Sequence, residues 1–275
     1  MQCLKKAILL TYGVLLLLTS YPQGVLIDCA LNNYTEKYKV VDKKYKSEND
    51  YLIIDVIIPV IENNEGNPNI EKLNNKIIKW TEDWINDVKK VSDEYFKGLV
   101  PPPIGPYQLY SRYKVTNSQN ITSFYIDYYQ FTGGAHGITT RLSYSVDNKT
   151  GKELQLSDLF KSGYDYKKVI NFEIANAIQM DKDKYFTGKD GFKGISENQG
   201  FYLSSGNVVI YFQVYEIAPY VTGIPEFYIS VEKFDQKGLK YELKPYTIRS
   251  ALFIKEVKEQ YFFNIHIMNY SITWS

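Results

Sequence analysis

Between Asn67 and Gly98 the apolar residues fall at Ile70, Leu73, Ile77, Trp80, Trp84, Val88, Val91 and Tyr95. The steps are three or four, so these residues line one face of a helix. Asn67 can cap it, Pro68 fits its first turn, and Gly98 can end it in the left-handed conformation. At 1.5 Å per residue such a helix is ~40 Å long. A stripe of that length is far more often core than a partner site, and one sheet would cover it.

The flanking sequence supplies strands. Residues 50–61 are β-branched, and Pro59 places the end of that strand at an edge or bulge. Leu99 to Pro106 holds four prolines and cannot be regular structure. Tyr107–Val115 and Ile121–Phe131 alternate as strands around Asn117–Asn120, and Thr139–Val146 adds another. Asp147-Asn148-Lys149-Thr150-Gly151 is a turn, because Asn and Gly accept positive φ. Ser157 or Asp158 marks a short helical turn, and Tyr166 to Met180 reads as a second helix with Val169, Ile170, Ile174, Ala177 and Ile178 on one face. Phe201–Leu203 and Val208–Tyr215 form a hairpin across Ser204–Asn207, followed by a strand at Ile224–Val231. The expected class is α+β, with antiparallel β-sheets each packed by a helix, in two related halves. No sequence repeat joins the halves. The tail from Ala251 is β-prone and aromatic, and reads either as an edge strand or as a loosely held extension.

The N-terminus reads as an export signal. Lys5 and Lys6 precede an apolar run from Ala7 to Leu18, which is too short for a bilayer, where ~20 residues are needed. Three readings stay open: cleavage near Gly24, an anchor retained through Ile27, or lipid attachment at Cys29. Asp28 stands where a lipoprotein box wants a small neutral residue. Removal of the two lysines leaves a formal charge of −1, which is not a nucleic-acid binder's balance. The only cysteines are Cys3 and Cys29, so hydrophobic burial, not a disulfide, must hold the fold. The 26 tyrosines suit half-buried positions where a ring packs and a hydroxyl stays wet, and do not by themselves argue for sugar binding.

Little in the sequence points to catalysis. The only histidines are His136 and His266, and no His-x-Glu, Cys-x-x-Cys or His-Glu-x-x-His spacing occurs. There is no Gly-x-Ser-x-Gly elbow and no phosphate-binding loop. No metal and no cofactor are expected. A hydrolase using Glu216, His136 or Asp127 stays open, because paired carboxylates follow no spacing rule.

Two segments stand out. In Thr132-Gly133-Gly134-Ala135-His136-Gly137 three glycines follow an aromatic strand, which allows positive φ and close backbone approach, and His136 sits on the tight loop. It either bonds its own backbone or lines a recognition surface. Tyr215-Glu216-Ile217-Ala218-Pro219-Tyr220 continues through Gly223, Pro225 and Glu226. The prolines lower the entropy lost on binding, and Tyr220 has the character of an exposed anchor. Glu216 either pairs with His136 or caps backbone amides.

With these two segments, Asn148-Lys-Thr-Gly-Lys-Glu-Leu154 and Leu156-Ser-Asp-Leu-Phe160 complete an ordered set over about 130–231 that resembles the extracellular domain of RsiV-type anti-sigma factors. The part before it, about 34–128, is similar to the N-terminal domain of PdaC-type deacetylases, on the strand ending at Pro59 and Leu73-Asn74 in the long helix. The resemblance implies a signal peptide or anchor over 1–24, a PdaC-like domain over 34–128, an RsiV-like domain over 129–235 and an extension over 236–275. It also implies a secreted protein of the Gram-positive cell envelope. In the anti-sigma members the domain binds lysozyme, and in the deacetylase members it precedes a catalytic domain. With six residues before the apolar run, a sigma-binding segment is not expected, and neither is a deacetylase domain after residue 275. The expectation is therefore a non-catalytic binding module for a lysozyme-like protein or cell-wall glycan. Its ligand-binding residues would be Gly133, Gly134, His136, Gly137, Tyr215, Glu216, Pro219, Tyr220, Gly223, Pro225 and Glu226. Contact with a membrane would run only through the N-terminal segment, and a purely structural envelope role is the remaining alternative.

Overall fold

The computed structural model describes residues 38–99 and 104–243. The expected export signal, Cys29 and the tail from Ala251 lie outside the described residues. The architecture is α+β, with one five-stranded and one three-stranded sheet, each packed by a helix.

The first sheet consists of β1 (Val40–Glu48), β2 (Leu52–Ile61), β3 (Tyr107–Ser118), β4 (Ile121–Phe131) and β5 (Ile138–Asp147), in that spatial order. Helix α1 (Pro68–Phe96) connects β2 to β3. The Asn67 side chain accepts from the Asn69 amide at 2.9 Å, and Gly98 takes φ +75° beyond the last turn. Because α1 carries the chain back along the sheet, β2 and β3 pair in parallel, with Leu52 opposite Tyr107. That pairing departs from the expected all-antiparallel sheets. The remaining neighbours in the two sheets are antiparallel.

Alternation along β2 sends Leu52, Ile54, Val56 and Ile58 toward α1, where they meet Ile70, Leu73, Ile77, Ile85 and Val88. The buried face of α1 continues through Ser92 and Phe96. Val91 and Tyr95, expected in the stripe, are 49% and 46% exposed. Trp80 and Trp84 are half-buried on the flank and pack against Tyr128, while the inward positions are Thr81 and Ile85. The Thr81 and Tyr128 hydroxyls lie 2.9 Å apart, which satisfies both inside the core.

Strand β1 had no counterpart in the sequence reading. Its Val-Val-Asp-Lys-Lys-Tyr-Lys-Ser-Glu sequence has little apolar content, and it forms an edge that lysines shield from pairing with other chains.

The second sheet, β6 (Phe201–Ser204), β7 (Asn207–Tyr211) and β8 (Glu226–Ser230), packs on α2 (Tyr166–Met180) through Ile170, Ile174, Val208, Ile210, Phe227 and Ile229. Strand β7 stops at Tyr211, short of the expected Tyr215, because residues 213–216 close a turn. The Glu216 amide donates to the Gln213 carbonyl at 3.0 Å.

The sheets are joined through serines of β4 and β5. Ser123 Oγ accepts from the Leu203 amide at 2.9 Å and lies 2.9 Å from Ser145 Oγ, and Ser143 donates to the Phe201 carbonyl at 2.6 Å. The expected domain boundary at 128/129 falls inside β4, and the five-stranded sheet continues to Asp147. The described start of the extension also packs down. Leu239 bridges to Phe160 and joins the second core, and the Tyr241 hydroxyl donates to Asp147 Oδ2 at 2.8 Å.

Asp147 ties that extension to the turn after β5. Burial opposes its ionisation. The Tyr241 hydroxyl and the amides of Thr150 and Lys149 outweigh burial and hold the carboxyl below its usual range. A depressed carboxyl contributes stability above its unfolded pKa and loses it as pH falls through the folded value. Thermal melts should therefore show the melting temperature falling below about pH 4. Asp147→Asn should start lower and fall less steeply over the same range. Parallel curves for the two proteins would rule out this role for Asp147.

Candidate functional site

The two segments singled out in the sequence meet. The His136 ring stacks on the Tyr220 ring with centroids 3.8 Å apart and planes 22° off parallel. The Tyr220 hydroxyl donates to the Gly137 carbonyl at 2.9 Å, and His136 Nδ1 lies 3.1 Å from the same oxygen. Gly133 and Gly134 take φ +93° and +90°, which only glycine adopts at little cost, so the chain can reverse between β4 and β5. Gly137 is a packing glycine, because a Cβ there would lie 2.6 Å from the Gln130 carbonyl oxygen and inside the Tyr129 ring contact.

The second loop is held along its length. The Glu216 carboxylate accepts from the Gln213 amide at 2.7 Å. Glu216 thus caps the turn, and the pairing with His136 does not form. Tyr215 occupies φ +70° and keeps its exposed ring 5.8 Å from that of Tyr220. Pro219 opens a single 3-10 turn, Tyr220–Thr222, whose last bond runs from the Gly223 amide to the Tyr220 carbonyl. Gly223 at φ +70° turns the chain toward Pro225, whose carbonyl accepts from the Phe212 amide at 3.0 Å. Val221 stands at the tip, 89% exposed. Tyr220 itself is half-buried and tethered at both ring and hydroxyl, so it is a brace more than the free anchor expected.

Beside this loop opens a groove of about 510 Å³, lined by Tyr125, Thr139, Arg141, Tyr220, Ile224 and Glu226 among others. Arg141 is its floor, with a side chain only 9% exposed. Its guanidinium donates to Asp127 of β4 through Nε at 2.6 Å and Nη2 at 2.7 Å, and through Nη1 to Glu226 of β8. The group lies over the Tyr125 ring, 3.8 Å from its centroid. Burial would lower its pKa, but the hydrogen bonds and charge of Asp127 and the charge of Glu226 outweigh that and raise it. Glu226 also accepts from the Tyr202 hydroxyl at 2.8 Å and the Tyr228 hydroxyl at 3.0 Å. Burial, with these neighbours, pushes the Tyr202 hydroxyl up, so it remains a donor.

Of the expected residues, His136 and Gly137 meet Tyr220, which also stands beside Tyr215, and Glu226 joins Arg141 at the groove floor. Gly133 and Gly134 lie in the loop of His136, and Pro219 and Gly223 in that of Tyr220. Glu216 and Pro225 hold backbone. Sequence reasoning missed Arg141, Tyr125 and Tyr202. One signal was available, since in the β4–β5 register Asp127 stands directly opposite Arg141 as an oppositely charged cross-strand pair.

The family model described as "Deacetylase PdaC" matches residues 45–139, and that described as "Protein of unknown function (DUF3298)" matches 157–232. The anti-sigma-V factor RsiV of Bacillus subtilis (strain 168) is 30% identical over 194 residues, which are 67% of this chain and 65% of that protein. The chain has an RsiV-like domain with a PdaC-like part before it. Crystal structures of DUF3298 family members share the fold. One from Bacteroides fragilis (TM-score 0.52, 21% identity) corresponds to 74% of this chain and 92% of its own, and one from Pseudomonas aeruginosa (TM-score 0.54, 18% identity) to 76% and 97%. The glycine loop lies in the PdaC-like match and the Tyr215–Glu226 loop in the DUF3298 match, so the surface draws on both.

Arg141→Ala would leave Asp127 and Glu226 facing each other without a counter-charge. The expected loss of stability is about 3 kcal/mol, at the low end for breaking a buried pair because both carboxylates keep some solvent. Gly137→Ala should cost about 1–3 kcal/mol by overpacking against Tyr129 and Gln130. Urea unfolding midpoints within error of the parent would contradict both assignments.

Proposed function

We propose that the chain is an envelope-exposed binding module, not an enzyme, whose ligand is a protein of the lysozyme class. The observation that carries this is the His136–Tyr220 stack with the Tyr220–Gly137 hydrogen bond. It joins two loops distant in sequence into one braced surface with Val221 at its tip and Tyr215 beside it. A loop pre-organised by proline, a tethered tyrosine and a capped turn loses little entropy on binding. The similarity to an anti-sigma factor and the resemblance to lysozyme-binding members of that family point to the same partner.

Electrostatics favour this reading. Lysozymes are basic, and the groove beside the loop sets two carboxylates, Asp127 and Glu226, against one arginine. The residues that a hydrolase would need are already engaged. Glu216 is bound to the Gln213 amide, Asp127 to Arg141, and His136 lies against Tyr220 and the Gly137 carbonyl. Export through the apolar segment before residue 24 would bring the surface to its ligand.

Calorimetric titration of the purified chain with lysozyme should release heat. Tyr220→Ala, which removes the brace, and Val221→Asp, which charges the exposed tip, should each weaken binding about tenfold or more, or about 1.4 kcal/mol. No heat with lysozyme in the high micromolar range would sink the proposal.

A further inference from the structure

We propose that the groove between β5 and the Tyr220–Ile224 loop binds a short uncharged saccharide. This site rests on the envelope placement proposed above but not on the protein ligand. Its floor is a buried charged group with hydrogen-bonding capacity to spare. A guanidinium carries five N–H donors, and the contacts of Arg141 with Asp127 and Glu226 use three of them. A carboxylate offers about four lone-pair sites, and Glu226 fills three, with Arg141 and Tyr202 on Oε1 and Tyr228 on Oε2. Unused donors and an unused acceptor thus belong to one cluster, which sets two carboxylates against one guanidinium.

That mixture of donors and acceptors selects the ligand class. A phosphate or carboxylate entering the groove would meet Arg141 but also Asp127 and Glu226. A cationic side chain would meet the carboxylates but also Arg141. A sugar hydroxyl both donates and accepts, so it uses both halves of the cluster. The groove volume, about 510 Å³, is in the range of small-molecule sites and exceeds what one amino-acid side chain fills. Thr139 adds a hydroxyl on the β5 side, while Val214, Val221 and Ile224 give apolar wall for the C–H faces of a pyranose ring. The wall is fixed in advance by the Pro219 carbonyl, which accepts from the Thr222 amide at 2.9 Å, and by the His136–Tyr220 stack.

The probe is the trimer of N-acetylglucosamine, observed by saturation-transfer NMR and titrated by calorimetry against the full chain. A dissociation constant of about 0.1–1 mM is expected. Thr139→Trp and Val214→Trp fill the groove from the β5 side and from the loop side while keeping the Arg141 side chain, and each should weaken the trimer at least tenfold while leaving the unfolding midpoint near that of the parent. Full-strength binding by both folded variants would overturn the proposal. So would absence of transfer at about 10 mM trimer, or displacement of the trimer by equimolar free arginine or inorganic phosphate, which would mark a charged ligand. A chain that binds lysozyme but not the trimer loses this site and keeps the protein-ligand reading. A chain that binds the trimer but not lysozyme keeps this site and loses the other.

Discussion

Arg141 extends from the edge strand of the five-stranded sheet and divides its guanidinium between two acids, Asp127 on the neighbouring strand and Glu226 on the first position of β8 in the other sheet. Its backbone is held as well, since its amide donates to Gln213 Oε1 at 3.0 Å and its carbonyl accepts from Gln213 Nε2 at 2.8 Å. One residue therefore touches both sheets, the start of the second loop and the floor of the groove. Buried ion pairs add little net stability compared with apolar packing, but they tolerate few alternative arrangements. Here the arrangement fixes where Glu226 stands, and Glu226 fixes where Tyr202 and Tyr228 point.

Stability comes from elsewhere. Ile54, Val56 and Ile58 against α1, and Ile170 and Ile174 against the second sheet, are almost fully buried, each contributing about 1.5–3 kcal/mol by transfer from water. The tyrosines serve a middle purpose. Tyr45 with Glu82, Tyr113 with Asp42, Tyr128 with Thr81 and Tyr241 with Asp147 each bury ring surface while the hydroxyl is bonded. A core built this way extends to the molecular surface with these hydroxyls matched, which is how a chain without a disulfide among its described residues supports rigid loops.

Much of this was legible in the sequence where local chemistry decides it. The cap at Asn67, the span of α2 from Tyr166 to Met180 and the limits of β4 follow from capping, periodicity and flanking turns. The two candidate loops were visible because glycine and proline mark unusual backbone. What escaped depends on distant partners. The parallel pairing of β2 with β3 is set by how the α1 crossover returns. The true inner face of α1, through Thr81 and Ile85 instead of Trp80 and Trp84, is set by the hydroxyl of Tyr128 reaching in from β4. The early end of β7 turns on Tyr215 adopting φ +70° with no glycine to announce it. Arg141 carries no local signal of burial, and Glu226 of the second sheet meets it there.

That meeting bears on how the two family matches relate. The PdaC match ends at residue 139 and the DUF3298 match begins at 157. The stretch between them, 140–156, holds most of β5, and β5 supplies Arg141, Ser143 and Ser145. Each of these reaches the second sheet or its support: Arg141 through Glu226, Ser143 through the Phe201 carbonyl, and Ser145 through Ser123, which receives the Leu203 amide. A connecting segment that only spanned two independent domains would have no reason to place three polar side chains inward at alternate positions. The period of two along 141, 143 and 145 is that of a strand whose face is covered. The covering sheet belongs to the other match, so the junction is a built interface, and the loops that cross it are positioned by the sheet contact as much as by their own sequence.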